Sequence, residues 1–328
     1  MIVTKTPLRI PLGGGGTDLP EFYSQFGGHL VTAAINQHVY LFVQSWFEEG
    51  IKVGYTKTEI VQSIDEIKHP VVREALRLNG ISNHIEVLSM AELPSRTGLG
   101  SSATYTVGLL KALSLFTRNE IVTKELAELA CHLQMDILQE AGGKQDQYAA
   151  AYGGIISLDI DKSGNVEVTQ LPVTSETVDE LQYRLLYFYT GISRSASELQ
   201  SSYAATIKNN ESDPVEAMKQ IKEIGLRSER ALVNGKLDDF GLLLDDHWVA
   251  KQKVSNAIST SKVDEWYCAA KKAGALGGKL MGAGGGGFLM VYCQPNTRNA
   301  VREALTRYGL QEAKFQFEFE GSRIMLNA

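Results

Sequence analysis

The chain has 328 residues, of which 44% are hydrophobic and 21% are charged, a composition typical of a folded globular protein of about two domains. Its formal net charge of −6 argues against a general attraction to nucleic acid or to an anionic membrane. The three cysteines Cys131, Cys268 and Cys293 follow no metal-ligand spacing and are predicted to be core or near-core thiols in a reducing compartment. The start, MIVTKTPLRI, does not read as a secretion signal, and no apolar run approaches the ~18 residues that span a bilayer, so a cytoplasmic protein is predicted.

Hydrophobic periodicity divides the first half of the chain into alternating strands and helices. The stretch PLGGGGTDLP is expected to be irregular, and GGKQDQYAAAYGG is expected to be a loop and the start of a helix. Strands are predicted at 2–10, at one or two places within 29–47, and at 51–55, 60–64, 83–91, 155–158 and 166–171. Helices are predicted at 70–79, 101–116 and 120–139.

The pattern changes after Pro172, where a soft domain boundary is predicted between residues 172 and 182. Strands are predicted at 183–189, after the glycines in GGGGFLMVYC, and at 313–319. Helices are predicted at 195–231, 237–258, 263–273 and 297–308. The fold class is therefore α+β, with one mixed domain over 1–175 and another over 176–328.

Three glycine clusters occur, which we name the first (13–16), second (98–102) and third (282–287) glycine loops. In the second, Gly98 and Gly100 let the backbone approach a ligand closely, and Ser101 and Ser102 stand where a helix is predicted to begin. The free amides and partial positive charge of a helix start form an anion site. A serine there could equally act as the helix N-cap, which is compatible with anion binding.

The second glycine loop matches neither of the common nucleotide-binding patterns. A Walker A loop requires a lysine that does not follow Gly100, and GLGSSA is not the GxGxxG of a dinucleotide site. The third loop, GAGGGG, matches GxGxxG loosely but leads into a strand and not into a helix.

The string PSRTGLGSSAT, preceded by TPLRIPLGGGGTD and followed by KLMGAGGGGF, resembles the GHMP small-molecule kinases. The three motifs occur in the family's order between residues 7 and 288. The resemblance implies a ribosomal protein S5-like N-terminal domain and a ferredoxin-like C-terminal domain, with ATP in the cleft between them. Three stretches are most similar to the branch that phosphorylates the anomeric hydroxyl of D-glycero-D-manno-heptose 7-phosphate, for nucleotide-activated heptose and surface polysaccharide.

The resemblance also implies roles for individual residues. Asp146 would accept or orient the acceptor proton, and Arg9 would stabilise the reacting centre, although Asp146 could be a helix N-cap and Arg9 part of a structural ion pair. Asp18 would bind sugar hydroxyls, or be a turn residue beside Pro20. ATP would contact Pro94, Thr97, Gly98, Leu99, Gly100, Ser101, Ser102 and Ala103. The acceptor would contact Gly14, Gly15, Gly16, Thr17, Gly284, Gly285 and Gly286, with Gly287 also in the closing loop.

The expected Mg²⁺ site departs from the family pattern. Ser102 matches the hydroxyl ligand, with Ser101 second, but Gln134 stands where the family usually has a glutamate. A neutral amide is a poorer ligand for a hard cation, so Asp136 or Glu140 could serve instead.

The phosphate of a sugar phosphate would need further positive groups, for which the candidates are Lys144, Arg194 and Arg96. His247 and Trp248 are predicted to pack within a helix with a polar tip rather than to act in the site. Two alternatives to the heptose phosphate kinase stay open: a fucokinase-like kinase of a free sugar, and a sugar and nucleotide sensor that has lost transfer. Mevalonate is disfavoured by the sugar-type GGGGTD loop, and a homodimer is left open.

Overall fold

The computed structural model describes residues 1–192, 212–255 and 257–328. Arg194 and residues 195–211 of the predicted helix 195–231 therefore lie outside the described residues. The β-strands are β1 Ile2–Gly13, β2 Gly28–Ser45, β3 Ile51–Gly54, β4 Thr58–Val61, β5 Ile85–Ala91, β6 Ile155–Ile160, β7 Val166–Gln170, β8 Leu185–Tyr189, β9 Ala275–Leu280, β10 Phe288–Cys293, β11 Gln311–Ala313 and β12 Arg323–Asn327. The α-helices are α1 Pro20–Phe26, α2 Pro70–Leu78, α3 Ser101–Phe116, α4 Thr123–Cys131, α5 Gln145–Tyr152, α6 Ser175–Arg184, α7 Ser212–Val233, α8 Leu237–Val254, α9 Ser261–Lys272 and α10 Arg298–Arg307.

The first sheet has the strand order β12-β1-β2-β5-β3-β4, and it branches at β2. Residues 39–45 of β2 pair with β5, whereas residues 28–33 pair with β6, which in turn pairs with β7. The predicted helix over 101–116 is confirmed as α3, which packs on β1 and β2 and buries most of its surface. The second glycine loop ends in the first residues of α3, which is packed on this sheet.

Strand β1 is longer than predicted, because residues 11–13 continue the strand that was expected to end at Ile10. Proline is tolerated in β1 where the ladder is irregular, and the pairing with β2 shifts beside both Pro7 and Pro11. Strand β12 covers only residues 2–5 of β1. Beyond it, the amide of Arg9 donates to Leu99 O at 3.1 Å, so the second glycine loop lies along the edge of β1.

The second sheet has the order β11-β8-β10-β9, with α8 packed closely on β9. A Cβ at Gly277 would lie 2.1 Å from Gly241 O of α8, so only glycine permits this approach. The α+β class is confirmed, because the described part of the chain forms two separate sheets, each with helices packed on it. The proposed boundary at 175/176 separates the strands of the two sheets except β12, which returns from the end of the chain to the first sheet.

Several predicted elements were wrong in type or extent. The predicted helix 120–139 ends as α-helix at Cys131 and continues as a π-helical segment, His132–Ile137. The predicted strand 313–319 contributes only its first residue, Ala313, to β11, and later in this stretch a single bridge joins Phe317 to Ile35. Helices α1 and α6 and strands β9 and β12 were not predicted.

Two of the cysteines, Cys131 and Cys293, are buried as predicted, whereas Cys268 lies exposed on α9. The apolar side of α9 is formed instead by Val263, Trp266 and Ala270. Within the described ranges, no helix combines the length and the low polarity that crossing a bilayer requires.

Candidate active site

A cleft of about 1120 Å³ is lined by residues of both sheets and of the helices packed on them. The first part of the chain contributes Arg9, Asp18 and Asp146 to its wall, and the helices and strands after residue 212 contribute Lys251 and Lys279. The second glycine loop and the start of α3 lie along the same wall.

Helix α3 begins at the cleft with the geometry expected of an anion site. Gly100 occupies the N-cap position in the left-handed region, with φ of 80°, a conformation that glycine adopts without steric cost. Its side chain cannot cap the helix, so the first amides of α3 are left for water or a ligand. The Ser101 hydroxyl is buried without a hydrogen-bond partner among the described residues.

Arg9 and Asp146 form an ion pair beside this helix start. Arg9 Nε donates to Asp146 Oδ1 at 2.6 Å, and Arg9 Nη1 donates to Gly98 O at 2.7 Å. Asp146 lies in the first turn of α5, but its side chain faces Arg9 rather than the helix amides, which argues against the N-cap interpretation. The guanidinium thus joins the carboxylate of Asp146, a residue of the cleft wall, to the glycine loop.

Three oxygen-bearing side chains meet at the start of α3. Gln134 Nε2 donates to Ser102 Oγ at 3.0 Å and to Glu140 Oε2 at 2.9 Å. The π-helical segment carries Gln134, and the amide of Glu140 donates to Gln134 O at 2.9 Å. A hydroxyl and a carboxylate oxygen are ligands that Mg²⁺ prefers, so Ser102 and Glu140 fit a divalent cation, with Gln134 between them.

Asp18 is buried over the start of α5. Its Oδ2 accepts the Gln145 amide at 2.9 Å and its Oδ1 accepts the Gly16 amide at 3.1 Å. A Cβ at Gly143 would lie 2.0 Å from Asp18 Oδ2, so the loop before α5 can approach the carboxylate only as glycine. Burial raises the pKa of Asp18 above its ordinary value, and the charge of Asp146 adds to that effect.

Most of the predicted site residues line this one cleft, but several lie behind it. The residues in its wall are Arg9, Gly15, Gly16, Asp18, Pro94, Arg96, Thr97, Gly98, Gly100, Ser101, Ser102, Ala103, Gln134, Glu140 and Asp146. Leu99 is fully buried, and Thr17 donates to backbone carbonyls of Gly14 and His29, so these residues shape the loops.

Two of the predicted polar residues point elsewhere. Lys144 donates to Gly164 O at 2.6 Å and to Glu128 Oε2 at 3.2 Å, away from the cleft wall. Asp136 is exposed and pairs with His132 one turn before it.

The third glycine loop supports the second from behind. A Cβ at Gly282 would lie 2.7 Å from Gly98 Cα, and one at Gly287 would lie 2.3 Å from Thr97 O. Gly284 and Gly286 approach Ile258 and Ile192 in the same way, and Gly285 N donates to Ile258 O. These glycines therefore allow close backbone packing, and only Gly282 and Ala283 of this segment reach the cleft wall.

Sequence reasoning missed His247, Lys251 and Lys279, which line the cleft from α8 and β9. His247 is buried in the wall, whereas Trp248 packs in the core as predicted. The spacing of His247 and Lys251 by four residues, one face of a helix, was a signal that could have found two of them.

Comparisons with known proteins agree with this geometry. Residues 64–154 match the family model of the GHMP kinases N terminal domain, and residues 228–311 match that of the GHMP kinases C terminal domain. The chain belongs to the GHMP kinases. It is a phosphotransferase that acts on a hydroxyl group, and ATP is the phosphoryl donor of the family.

Individual relatives are similar over nearly the whole chain. A D-glycero-alpha-D-manno-heptose 7-phosphate kinase of Campylobacter jejuni is 27% identical over 98% of this chain and 97% of its own. An L-fucokinase/L-fucose-1-P guanylyltransferase of Bacteroides fragilis is 26% identical over 92% of this chain and 36% of its own. A crystal structure of a D-glycero-D-manno-heptose 1-phosphate kinase from Bacteroides thetaiotaomicron superposes with a TM-score of 0.82, at 25% identity, over 100% of both chains.

Proposed function

We propose that this chain is a sugar kinase that transfers the terminal phosphoryl group of ATP to the anomeric hydroxyl of D-glycero-D-manno-heptose 7-phosphate. The product would be the 1,7-bisphosphate, which feeds nucleotide-activated heptose for surface polysaccharide. The observation that carries the proposal is the Arg9–Asp146 pair, 2.6 Å apart, beside the open start of α3. The similarity to heptose phosphate kinases over nearly the whole chain supports the choice of sugar.

In the proposed reaction, the amides of residues 98–102 bind the phosphates of ATP at the positive end of α3. The acceptor oxygen forms a bond to the terminal phosphorus as the bond to the bridging oxygen breaks, and ADP leaves. Asp146 Oδ2 takes or orients the acceptor proton, because Oδ1 is held by Arg9. Arg9 stabilises the charge on the transferring group.

Ser102 and Glu140 would hold Mg²⁺ in this proposal. When bound, the ion would offset the negative charge of the ATP phosphates. Gln134, whose amide reaches both oxygens within 3.0 Å, would position them rather than supply the missing carboxylate itself. Thus Gln134 does not by itself argue for an inactive protein.

Asp18 and the first glycine loop would face the sugar. Asp18, Gly15 and Gly16 lie in the cleft wall, and Asp18 is within electrostatic range of Asp146. A carboxylate held by backbone amides is rigid enough to orient sugar hydroxyls, and glycines allow the ring to approach the backbone.

An assay of ADP release with Mg²⁺ and ATP tests the proposal. The acceptors are D-glycero-D-manno-heptose 7-phosphate, mannose 6-phosphate, mannose, fucose and galactose. Strong turnover with the heptose phosphate alone is the expected result. Preferred turnover of fucose would instead favour the alternative that the B. fragilis relative suggests, and binding of ATP and sugar with no turnover of any acceptor would favour a sensor.

A further inference from the structure

One wall of the cleft carries three basic side chains that have no role in the proposed transfer. His247 and Lys251 lie one turn apart on α8, and Lys279 lies on β9 directly beneath that helix. All three line the same cleft as Arg9 and Asp146. They lie within electrostatic range of one another, and both lysines lie within range of Arg9.

The packing of α8 on β9 fixes the place of Lys279. Gly277 faces α8, where a Cβ would lie 2.1 Å from Gly241 O and 2.6 Å from Asp245 N. Residues two apart in a strand share a face, so Lys279 projects toward the same helix one step farther along β9. The close approach at Gly277 thus brings Lys279 under α8, beside His247 and Lys251.

His247 and Lys279 are buried, Lys251 is partly buried, and all three are poorly partnered. Lys279 is 1% exposed, and within the described part of the chain no carboxylate lies within 4.0 Å of Lys251 or Lys279. Lys251 Nζ donates to one backbone oxygen, that of Gly282, at 2.5 Å. Neither ring nitrogen of His247 has a hydrogen-bond partner among the described residues, although the side chain is 1% exposed.

Burying a cation without a counter-ion costs free energy, and buried charges in proteins are usually paired with an opposite charge or a ligand. Desolvation, together with the charges of the other two groups, holds the pKa of His247 well below its ordinary value. Desolvation, with the charge of Arg9, lowers the pKa of Lys251 to about 8. An anion bound between them would remove this repulsion and supply the missing partner.

We propose that Lys251, Lys279 and His247 form an anion subsite that binds a phosphoryl group in the cleft, within electrostatic range of Arg9. The inference rests on the proposed function, because it gives that reaction a second site for phosphate. Two sources share this chemistry, namely the terminal phosphates of ATP and the phosphate already carried by the acceptor sugar.

The position of Lys251 makes the subsite part of the active cleft rather than a separate pocket. Lys251 holds the carbonyl of Gly282, and Gly282 packs against Gly98 of the second glycine loop. Lys144, which the sequence suggested for the sugar phosphate, instead contacts Gly164 O and Glu128 outside the cleft wall. Lys251 of α8 and Lys279 of β9, which line the cleft, are therefore better placed than Lys144 to meet a phosphate there.

Binding measurements without turnover test the subsite. The variants are Lys279→Met and Lys251→Met, and the matched control is Lys253→Met, an exposed lysine two residues along α8. Calorimetric titrations would use Mg²⁺-ATP, inorganic phosphate, and the pair mannose 6-phosphate and mannose, which differ only in the phosphate. We expect Kd for at least one anion to rise about 10-fold or more in both variants, and not in the control.

Each outcome has a distinct meaning. A loss confined to ATP assigns the subsite to the nucleotide, and a loss for mannose 6-phosphate but not mannose assigns it to the acceptor. Unchanged affinity for every anion in both variants would overturn the subsite. Loss of anion affinity in a protein that phosphorylates no sugar would retain the subsite and reject the proposed function.

Stability gives a second readout. Removing an unpaired buried charge is expected to raise the Tm of Lys279→Met, while added inorganic phosphate should raise Tm less in the variant than in the native chain. If Lys279→Met does not fold, Lys251→Met, whose side chain is only partly buried, carries the test.

Discussion

The guanidinium of Arg9 donates both to Asp146 Oδ1 and to Gly98 O. The side chain of Arg9 therefore joins strand β1 to helix α5 and to the second glycine loop. A Cβ at Gly100 would lie 3.2 Å from Asp146 Oδ2 and 3.3 Å from Arg9 Cγ. The carboxylate and the guanidinium therefore pack tightly against the loop, with little room for a side chain at position 100. Changes at Arg9 or Asp146 are expected to alter transfer more than nucleotide binding, because the loop amides that would bind ATP remain in place.

Asp146→Asn is expected to lower kcat about 10²–10⁴-fold, because the amide cannot accept the acceptor proton. The affinity for ATP, measured by calorimetry without acceptor, should change little, since the backbone amides of residues 98–102 remain in place. Steady-state ADP release measures the loss. Turnover near the native value would exclude Asp146 as proton acceptor or orienting group.

Gly100→Ala is expected to destabilise the fold by ~1–2 kcal/mol and to lower kcat, because alanine is strained at positive φ and its methyl group crowds Asp146. Gly80→Ala is the matched control, with φ of 64° and no atom within 4 Å of the added Cβ. Urea denaturation should show similar losses of stability in both variants. Turnover should fall only in Gly100→Ala, and an equal fall in both would mean that the contact with Asp146 is unimportant.

Glu140→Gln is expected to weaken Mg²⁺ binding to the ATP complex about tenfold or more, because a carboxylate ligand becomes a neutral amide. Paramagnetic Mn²⁺ is a suitable substitute, and its affinity can be read by electron paramagnetic resonance without turnover. Asp136→Asn is the control, since Asp136 is exposed and contacts His132. If Asp136→Asn weakens the metal and Glu140→Gln does not, the assignment of Glu140 is wrong.

Asp18 predicts a pH dependence of stability. Burial raises its pKa above the ordinary value of 3.8, so folding favours the protonated form. The folded chain then binds more protons than the unfolded chain, and the contribution of Asp18 to stability is lost as pH rises from about 4 through the folded-state pKa. Asp18→Asn should show a smaller fall of the free energy of unfolding between about pH 4 and pH 7. Parallel pH profiles for the two proteins would contradict this.

The sequence predicted much of the fold wherever the pattern is local. Helix α3 is confirmed residue for residue because its apolar positions and its glycine start lie within one segment. The motifs also brought together Arg9, Gly98 and Asp146, which the fold places in one hydrogen-bonded group.

The missed features depend on partners distant in sequence. Strand β9, with Gly277, Gly278 and Lys279, has no strand pattern, and its conformation results from pairing with β10 and packing under α8. Strand β12 is short and mostly exposed, and it forms because β1 offers an edge. The place of Glu140 beside Gln134 depends on the π-helical register of residues 132–137, which periodicity does not reveal.

The contact between Gly98 and Gly282 joins two loops that lie far apart in the chain, by backbone atoms alone. Bringing such distant segments together costs chain entropy, because a long loop must close. Contacts of this kind tend to form late in folding. Secondary structure can therefore be recovered before the nucleotide site exists. In a refolding experiment, ATP should be captured only after most of the helical circular dichroism has returned.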